Sequence, residues 1–328
     1  MKTQNYTYNE TLAGGQTRMR SLLWIGVLVV CFVSGGATCA RHEAPMPFPP
    51  PPSVLTDAPS IAELSAVVNR TGSVQQLSTN TATVEVLTMP SVPRLSATVN
   101  LQRERRFRMR ASLPIMLGAG MDMGSNDEVF WFEVPEGMSK VLYYADHDQY
   151  KQQLNRAVLP VDPTWIMDAL GLVQLDPATV VAGPVLRDDG KLEVRSIMQM
   201  PDGIYQKVCF FEKSAGYVTD QFLYAPDNRL IAKSSATNHR YYDEQQCALP
   251  HRVEISLTPA VGPPLAMKID IGSYTVNQLL TDDPTLFVMP QTASQAVDLT
   301  TLSANVAPPV GAYTAENSIA TPLRGTMR

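Results

Sequence analysis

From Thr81 onwards the apolar residues of this chain recur at every second position, in segment after segment. Val84 and Val86 open the pattern. Leu95, Ala97, Val99 and Leu101 then alternate with Ser96, Thr98, Asn100 and Gln102, and Phe107 and Met109 sit between Arg106, Arg108 and Arg110. Successive side chains of a strand point to opposite faces, so a period of two marks strands with one buried and one solvated face, as in antiparallel sheets. The alternation continues through residues 129–134, 140–144, 192–198, 204–211, 220–225, 229–236, 253–257 and 265–271. Turn signals stand at Asp188-Asp189-Gly190, Pro201-Asp202-Gly203 and Ala225-Pro226-Asp227-Asn228. A meander of about ten strands joined by short loops follows.

Two segments keep helical spacing instead. Ser60-Ile61-Ala62-Glu63 is a capping box, and Ile61, Leu64, Val67 and Val68 follow it until Gly72. Asp162-Pro163-Thr164 is a cap with proline at the first helical position, and Trp165, Ile166, Ala169, Leu170 and Val173 supply an apolar face. The expected fold is mainly β with a few short helices (α+β): a strongly curved antiparallel sheet forming an unclosed β-barrel, its helices covering the concave side.

The ends of the chain read differently. Arg18 and Arg20 precede an apolar run of 12 residues, Leu22 to Val33, followed by Ser34, Gly35, Gly36, Ala37, Thr38 and Cys39. That is the charged, apolar and small-residue order of a secretory signal, and the run falls short of the about 20 residues that span a bilayer. Residues 1–38 are read as this signal, with Met19 a better start than Met1. Cys39 has two readings: Gly36-Ala37-Thr38-Cys39 is similar to a bacterial lipobox, with lipidation of Cys39, and Thr38-Cys39-Ala40 fits ordinary cleavage. Residues 39–58, with Pro45, Pro47 and Pro49 to Pro52, read as a polyproline tether, 59–291 as the folded domain, and 292–328, rich in Ala, Thr, Ser and Pro, as a disordered tail.

Composition narrows the chemistry. The 328 residues carry 26 basic against 31 acidic side chains, so no basic field exists to hold nucleic acid. His42, His147, His239 and His251 are scattered without metal-ligand spacing, so neither a metal nor a cofactor is expected. No nucleophile elbow or phosphate loop is present, and Gly118, Gly120 and Gly124 read as a flexible Met-rich loop. The expectation is therefore no enzyme. Arg103, Arg105, Arg106, Arg108 and Arg110 form a basic cluster whose i, i+2 members line one strand face, read as a solvated outer face or, alternatively, an anionic-lipid contact. Cys209 and Cys247 would form a disulfide in an exported protein if their Cα atoms approach within about 7 Å.

The order of these elements resembles the LolA/LolB-like family of bacterial outer-membrane lipoprotein-sorting proteins. Asn126-Asp127-Glu128-Val129-Phe130-Trp131-Phe132-Glu133-Val134-Pro135 takes the place of that family's aromatic strand, and Leu286-Phe287-Val288-Met289-Pro290 that of its closing motif, over a match from Ser60 to Gln291. The resemblance implies an open barrel with an apolar cavity for acyl chains. It gives Arg103, with Glu104 where the family has proline, the role of holding the cavity closed, and it agrees with a lipidated Cys39. Candidate lining residues on the apolar strand faces and the second helix are Phe107, Met109, Phe130, Phe132, Trp165, Met198, Phe210, Phe222 and Met267, since aromatic and thioether side chains suit flexible chains.

The expected function is that of a monomeric, membrane-anchored envelope lipoprotein at the periplasmic face of the outer membrane, or a soluble periplasmic protein if Cys39 is not lipidated. It would bind acyl chains of lipoproteins or phospholipids without covalent chemistry. The alternative is an envelope sensor or protein-interaction module built on the same barrel with a filled core.

Overall fold

The computed structural model describes residues 48–112, 120–136, 139–152, 164–260, 264–291, 293 and 295–301. The signal, Cys39 and the Asp162-Pro163 cap lie outside the described residues. Among the described residues fifteen strands form one sheet: β1 (Gln76–Val86), β2 (Leu95–Gln102), β3 (Arg106–Ser112), β4 (Gly120–Ser125), β5 (Val129–Glu136), β6 (Ser139–Asp146), β7 (Val180–Leu186), β8 (Lys191–Met200), β9 (Gly203–Glu212), β10 (Val218–Tyr224), β11 (Leu230–Tyr242), β12 (Cys247–Leu257), β13 (Leu265–Ile271), β14 (Thr275–Val276) and β15 (Gln295–Asp298). The sheet order is β15-β6-β5-β4-β3-β2-β1-β13-β12-β11-β10-β9-β8-β7, with β14 beside β1. Two meanders, β1–β6 and β7–β13, are joined where β1 pairs with β13 from Ala82↔Ile271 to Val86↔Met267. Its edge strands β7 and β15 do not meet, so the sheet stays open.

The sheet is curved and its core lies on one face. Phe107 and Met109 on β3, Leu223 on β10 and inward side chains of the strands between them belong to one buried cluster, which also takes in Trp165, Met167, Ala169, Leu170 and Leu172.

The Ser60 capping box forms as read: the Glu63 amide donates to Ser60 Oγ at 3.2 Å, and the Ser60 amide donates to Glu63 Oε2 at 2.7 Å. It starts helix α1 (Ile61–Val68), whose Leu64 and Val68 pack in a second cluster against Leu192, Val194, Cys209, Phe211 and Val218. A short helix, α2 (His147–Gln152), follows β6. The second expected helix is α3 (Thr164–Met167), which widens into a π-type turn over Asp168–Leu172. Gly171 ends it with φ 91°, and a Cβ there would lie 2.6 Å from Pro250, so glycine is required on both counts.

Three sequence expectations change. Gly120–Ser125 is strand β4 rather than loop, because Gly124 lies beneath the Trp131 indole, where a Cβ would come within 2.3 Å of the ring. Residues 295–298, read as tail, form β15 parallel to β6, and Leu299 is buried beyond it. Arg108 is 5% exposed rather than solvated. Its Nε and Nη2 donate to the two carboxylate oxygens of Asp122 at 3.0 and 2.7 Å, and its Nη1 donates to the carbonyls of Thr285, Leu286 and Val288 at 3.1, 2.9 and 3.1 Å. The closing motif thus straps the outer face of β3, with Arg108 as its fastening.

Removing one partner of such a buried pair strands the other, so Arg108→Ala should cost about 3–5 kcal/mol in urea unfolding. Arg106→Ala, which breaks an exposed pair with Asp127, should change stability by less than about 1 kcal/mol.

Candidate functional site

The concave side of the sheet is filled from within the chain. Trp165, Met167, Ala169, Leu170 and Leu172, from α3 and its π-type turn, are buried in the largest apolar cluster against Phe107, Met109, Met267 and their strand neighbours. Met121, Met123 and Met200 pack at its margin. Methionine is common here, and its unbranched, polarizable side chain adapts to irregular neighbours.

Polar groups fasten this inner segment at its C-terminal end and at its middle. At its C-terminal end Arg103 donates from Nε to the Val74 carbonyl at 2.8 Å and from Nη2 to the carbonyls of Thr71 and Leu172 at 3.0 and 3.3 Å. Burial lowers the pKa of its guanidinium from the ordinary value, against the opposing pull of the Asp168 carboxylate. Thr71 Oγ1 donates to the Val173 carbonyl at 2.8 Å, and the Asn69 carboxamide exchanges two bonds with the Leu175 backbone, at 3.0 and 2.7 Å. Further back along the segment, Lys207 Nζ donates to Asp168 Oδ2 at 2.6 Å and Gln221 Nε2 to the Asp168 carbonyl at 2.9 Å.

A pocket of about 30 Å³ lies between Pro52, Thr71, Gly171, Tyr217 and Cys247, room for a few waters. The tether crosses above it, held by the amides of Val54 and Leu55, which donate to the Ser214 carbonyl at 2.8 and 2.9 Å. At the rim His239 stacks on Tyr217 with ring centres 4.1 Å apart, and its Nε2 lies 2.9 Å from the Val218 carbonyl. Burial pushes its pKa down to about 4.

The nine candidate lining residues separate. Phe107, Met109, Trp165 and Met267 meet in the central cluster. Phe130 and Phe132 share the same sheet face by register, Phe107↔Ser125↔Phe130 and Met109↔Met123↔Phe132, but they pack in a third cluster with Tyr143, Tyr150 and Leu299. Met198 lies opposite Tyr205 near the end of the β8–β9 hairpin and is 36% exposed. Phe210 and Phe222 stand on the outer face, 5.3 Å apart, with Arg187 and Lys233 over their rings. The run Cys209-Phe210-Phe211 is apolar at three consecutive positions, so alternation alone does not say which face is buried.

Arg103 links the carbonyls of Thr71 and Val74 to that of Leu172. Cys209 and Cys247 are buried free thiols. They lie on β9 and β12, three strand spacings apart, and the register sets Cys209 in line with Ile255, eight residues along β12 from Cys247, so the two are too far apart to bridge. Burial raises both pKa values to about 11, so the thiolate form is scarce at neutral pH. The sequence reading passed over Lys207 and Gln221. Their signal was a polar residue in the buried phase of an alternating strand, between Tyr205 and Cys209 and beside Leu223.

Among the described residues no group of His, Cys, Asp and Glu could hold a metal ion, and no helix is long and apolar enough to cross a membrane. Ser125 Oγ lies 3.0 Å from His147 Nε2, but both side chains are buried and the same nitrogen lies 3.0 Å from the Asn126 carbonyl.

No protein-family model and no curated protein matches the chain. Solved structures do. A domain named for outer membrane lipoprotein sorting, from Vibrio parahaemolyticus, is 8% identical with a TM-score of 0.45, covering 69% of this chain and 97% of its own. A DUF1329 family protein from Desulfovibrio piger is 11% identical with a TM-score of 0.43, covering 68% and 94%. A LolA superfamily protein from Nitrosomonas europaea is 11% identical with a TM-score of 0.38, covering 66% and 94%.

Two outcomes follow for the site. Arg103→Met should speed amide hydrogen exchange at residues 69–74 and 165–173 by at least about tenfold, one lost charged hydrogen-bond set being worth about 1.5–3 kcal/mol, while β11 and β12 keep their protection. The unfolded chain binds a proton at His239 near pH 6.5, which the folded chain resists until about pH 4. Stability should therefore fall as pH drops through that window, less steeply in His239→Gln, as read by urea midpoints.

Proposed function

We propose that this chain is an exported envelope protein, anchored through a lipidated Cys39, that takes acyl chains of lipoproteins or phospholipids into its concave face without covalent chemistry. The observation that carries the reading is the source of the filling: the centre of the concavity is occupied by one short segment, Trp165 to Leu172, fastened by polar bonds at Asp168 and at Leu172. Such a segment acts as a lid that an acyl chain can replace. Burying the larger lid side chains is worth roughly 10 kcal/mol at about 1.5–3 kcal/mol each, and burying about 12 methylenes at 0.8 kcal/mol each is worth the same, so the exchange is near balance. Arg103 then serves as the latch, since its carbonyl acceptors lie on both sides of the opening. Methionines around the lid repack about an occupant of no fixed shape.

A second reading rests on the filling itself, the buried cluster of Trp165, Met167, Ala169, Leu170 and Leu172 against the strands. A filled concavity is also what a protein-interaction module needs, and in that case the lid never leaves. The two separate in native mass spectrometry of the full-length chain exported to a bacterial periplasm, with its Cys39→Ser variant. Carrier function predicts co-purifying lipid or acylated peptide in both, released on denaturation, and a diacyl mass on the chain itself only when Cys39 is present. A bare noncovalent mass that does not rise on adding phospholipid or acylated peptide would leave the interaction module.

A further inference from the structure

An ion pair inside the lid contact has no need to be there for packing. Lys207 projects from β9 into the concave side, between Tyr205 of the central cluster and Cys209 of the second. Its side chain is 12% exposed, and its Nζ lies 2.6 Å from Asp168 of the lid, whose side chain is 29% exposed. Burial works against the ammonium, yet the Asp168 carboxylate more than offsets it, and the Lys207 pKa stands at about 12. The pair thus sits where the apolar interior meets solvent. Beside it, at neighbouring inward positions of β10 and β11 by the register Cys209↔Gln221↔Ser234, are two further polar groups. Gln221 Nε2 donates to the Asp168 carbonyl and lies 3.3 Å from Ser234 Oγ, while Gln221 Oε1 is buried without a hydrogen-bond partner.

Lys207, Gln221 and Ser234 belong to the sheet; Asp168 belongs to the lid. When the lid leaves, its carboxylate leaves with it, and a cation with two hydrogen-bonding groups remains at the rim of an apolar concavity. Leaving Lys207 there unpaired is costly, because a nearly buried ammonium needs a counter-charge. An occupant that brings its own anion removes that cost, and a neutral one does not. We propose that Lys207, with Gln221 and Ser234, is a head-group site for acyl chains bearing an anionic head, and that Asp168 is an internal stand-in for that head in the closed form. The ligand class is a single acyl chain ending in a carboxylate or a phosphate. Its head would pair with Lys207 and accept from Gln221 Nε2, and its tail would lie where Leu170 and Trp165 now lie. The unpaired Gln221 Oε1 would accept from a hydroxyl on the head.

This inference rests on the acyl-binding reading, and the test keeps the two apart. Equilibrium dialysis of the delipidated full-length chain would use oleate, oleoyl lysophosphatidate and oleyl alcohol, each below its aggregation concentration. The expected result is oleate or lysophosphatidate bound at least about tenfold more tightly than the alcohol, a difference of 1.4 kcal/mol, and which of the two anions leads distinguishes carboxylate from phosphate. Lys207→Met should remove the preference, so that oleate and lysophosphatidate bind no more tightly than the alcohol, which still binds. Asp168→Asn, which takes away the competing carboxylate but keeps the shape, should tighten the anions several-fold and the alcohol less. Lys207→Arg should retain the preference and serves in place of Lys207→Met if that variant does not fold. Equal binding of anions and alcohol by the unmodified chain, or a preference that survives Lys207→Met, would overturn the head-group site and leave acyl binding intact. No binding of any of the three would overturn both.

Discussion

The pairing of β1 with β13 is the constraint on which the architecture depends. Each meander by itself is a sheet with an apolar face and nothing to cover it. Five registered pairs, Ala82↔Ile271 to Val86↔Met267, join the first strand of one to the last strand of the other, and the two apolar faces become a single surface wide enough to curve on itself. The inward side chains at the seam, Ala82, Val84, Ile269 and Ile271, all lie in the central cluster. With the seam in the middle, β6 and β7 lie toward opposite ends of the strand order, and α3, which stands between them in the chain, packs in the concavity.

That placement explains the mixed character of the interior. A connection packed in an apolar concavity brings a backbone whose carbonyls and amides must be satisfied. Arg103, Thr71, Asn69 and Gln221 do this from the surrounding elements. The result is an apolar filling with polar seams along its borders. On the outer face the same requirement is met by Arg108, whose fork takes Asp122 on one side and three strap carbonyls on the other. Lysine could not meet that geometry.

Much of the sheet was legible in the sequence because an antiparallel strand with one buried face writes its orientation into the alternation. The strands 95–101, 107–109, 192–198 and 253–257 could be read this way, as could the Ser60–Glu63 cap, whose signal is local. The site was less legible. Phe210 and Phe222 were assigned inward although they stand outside, since a three-residue apolar run has no phase. Gly124 looked like loop because its role, making room for Trp131, belongs to a neighbour across the sheet. Lys207 interrupts an apolar phase, a signal present in the sequence but interpretable only when its carboxylate partner, 39 residues away, is known.

By itself the sequence determined the fold class, the strand phases, the first helix and its cap, and the stretch of apolar helix that lies among the strands. These follow from interactions between residues close along the chain and from the period of side chains on a pleated strand. Only the tertiary structure decided that this helix fills the concavity, that Arg103 and Lys207 fasten it, that Arg108 is buried beneath the closing strap, and that Cys209 and Cys247 remain apart. Each of these depends on which strands become neighbours, and pairing between distant strands is set by the joint burial of both meanders, a quantity that no local pattern contains.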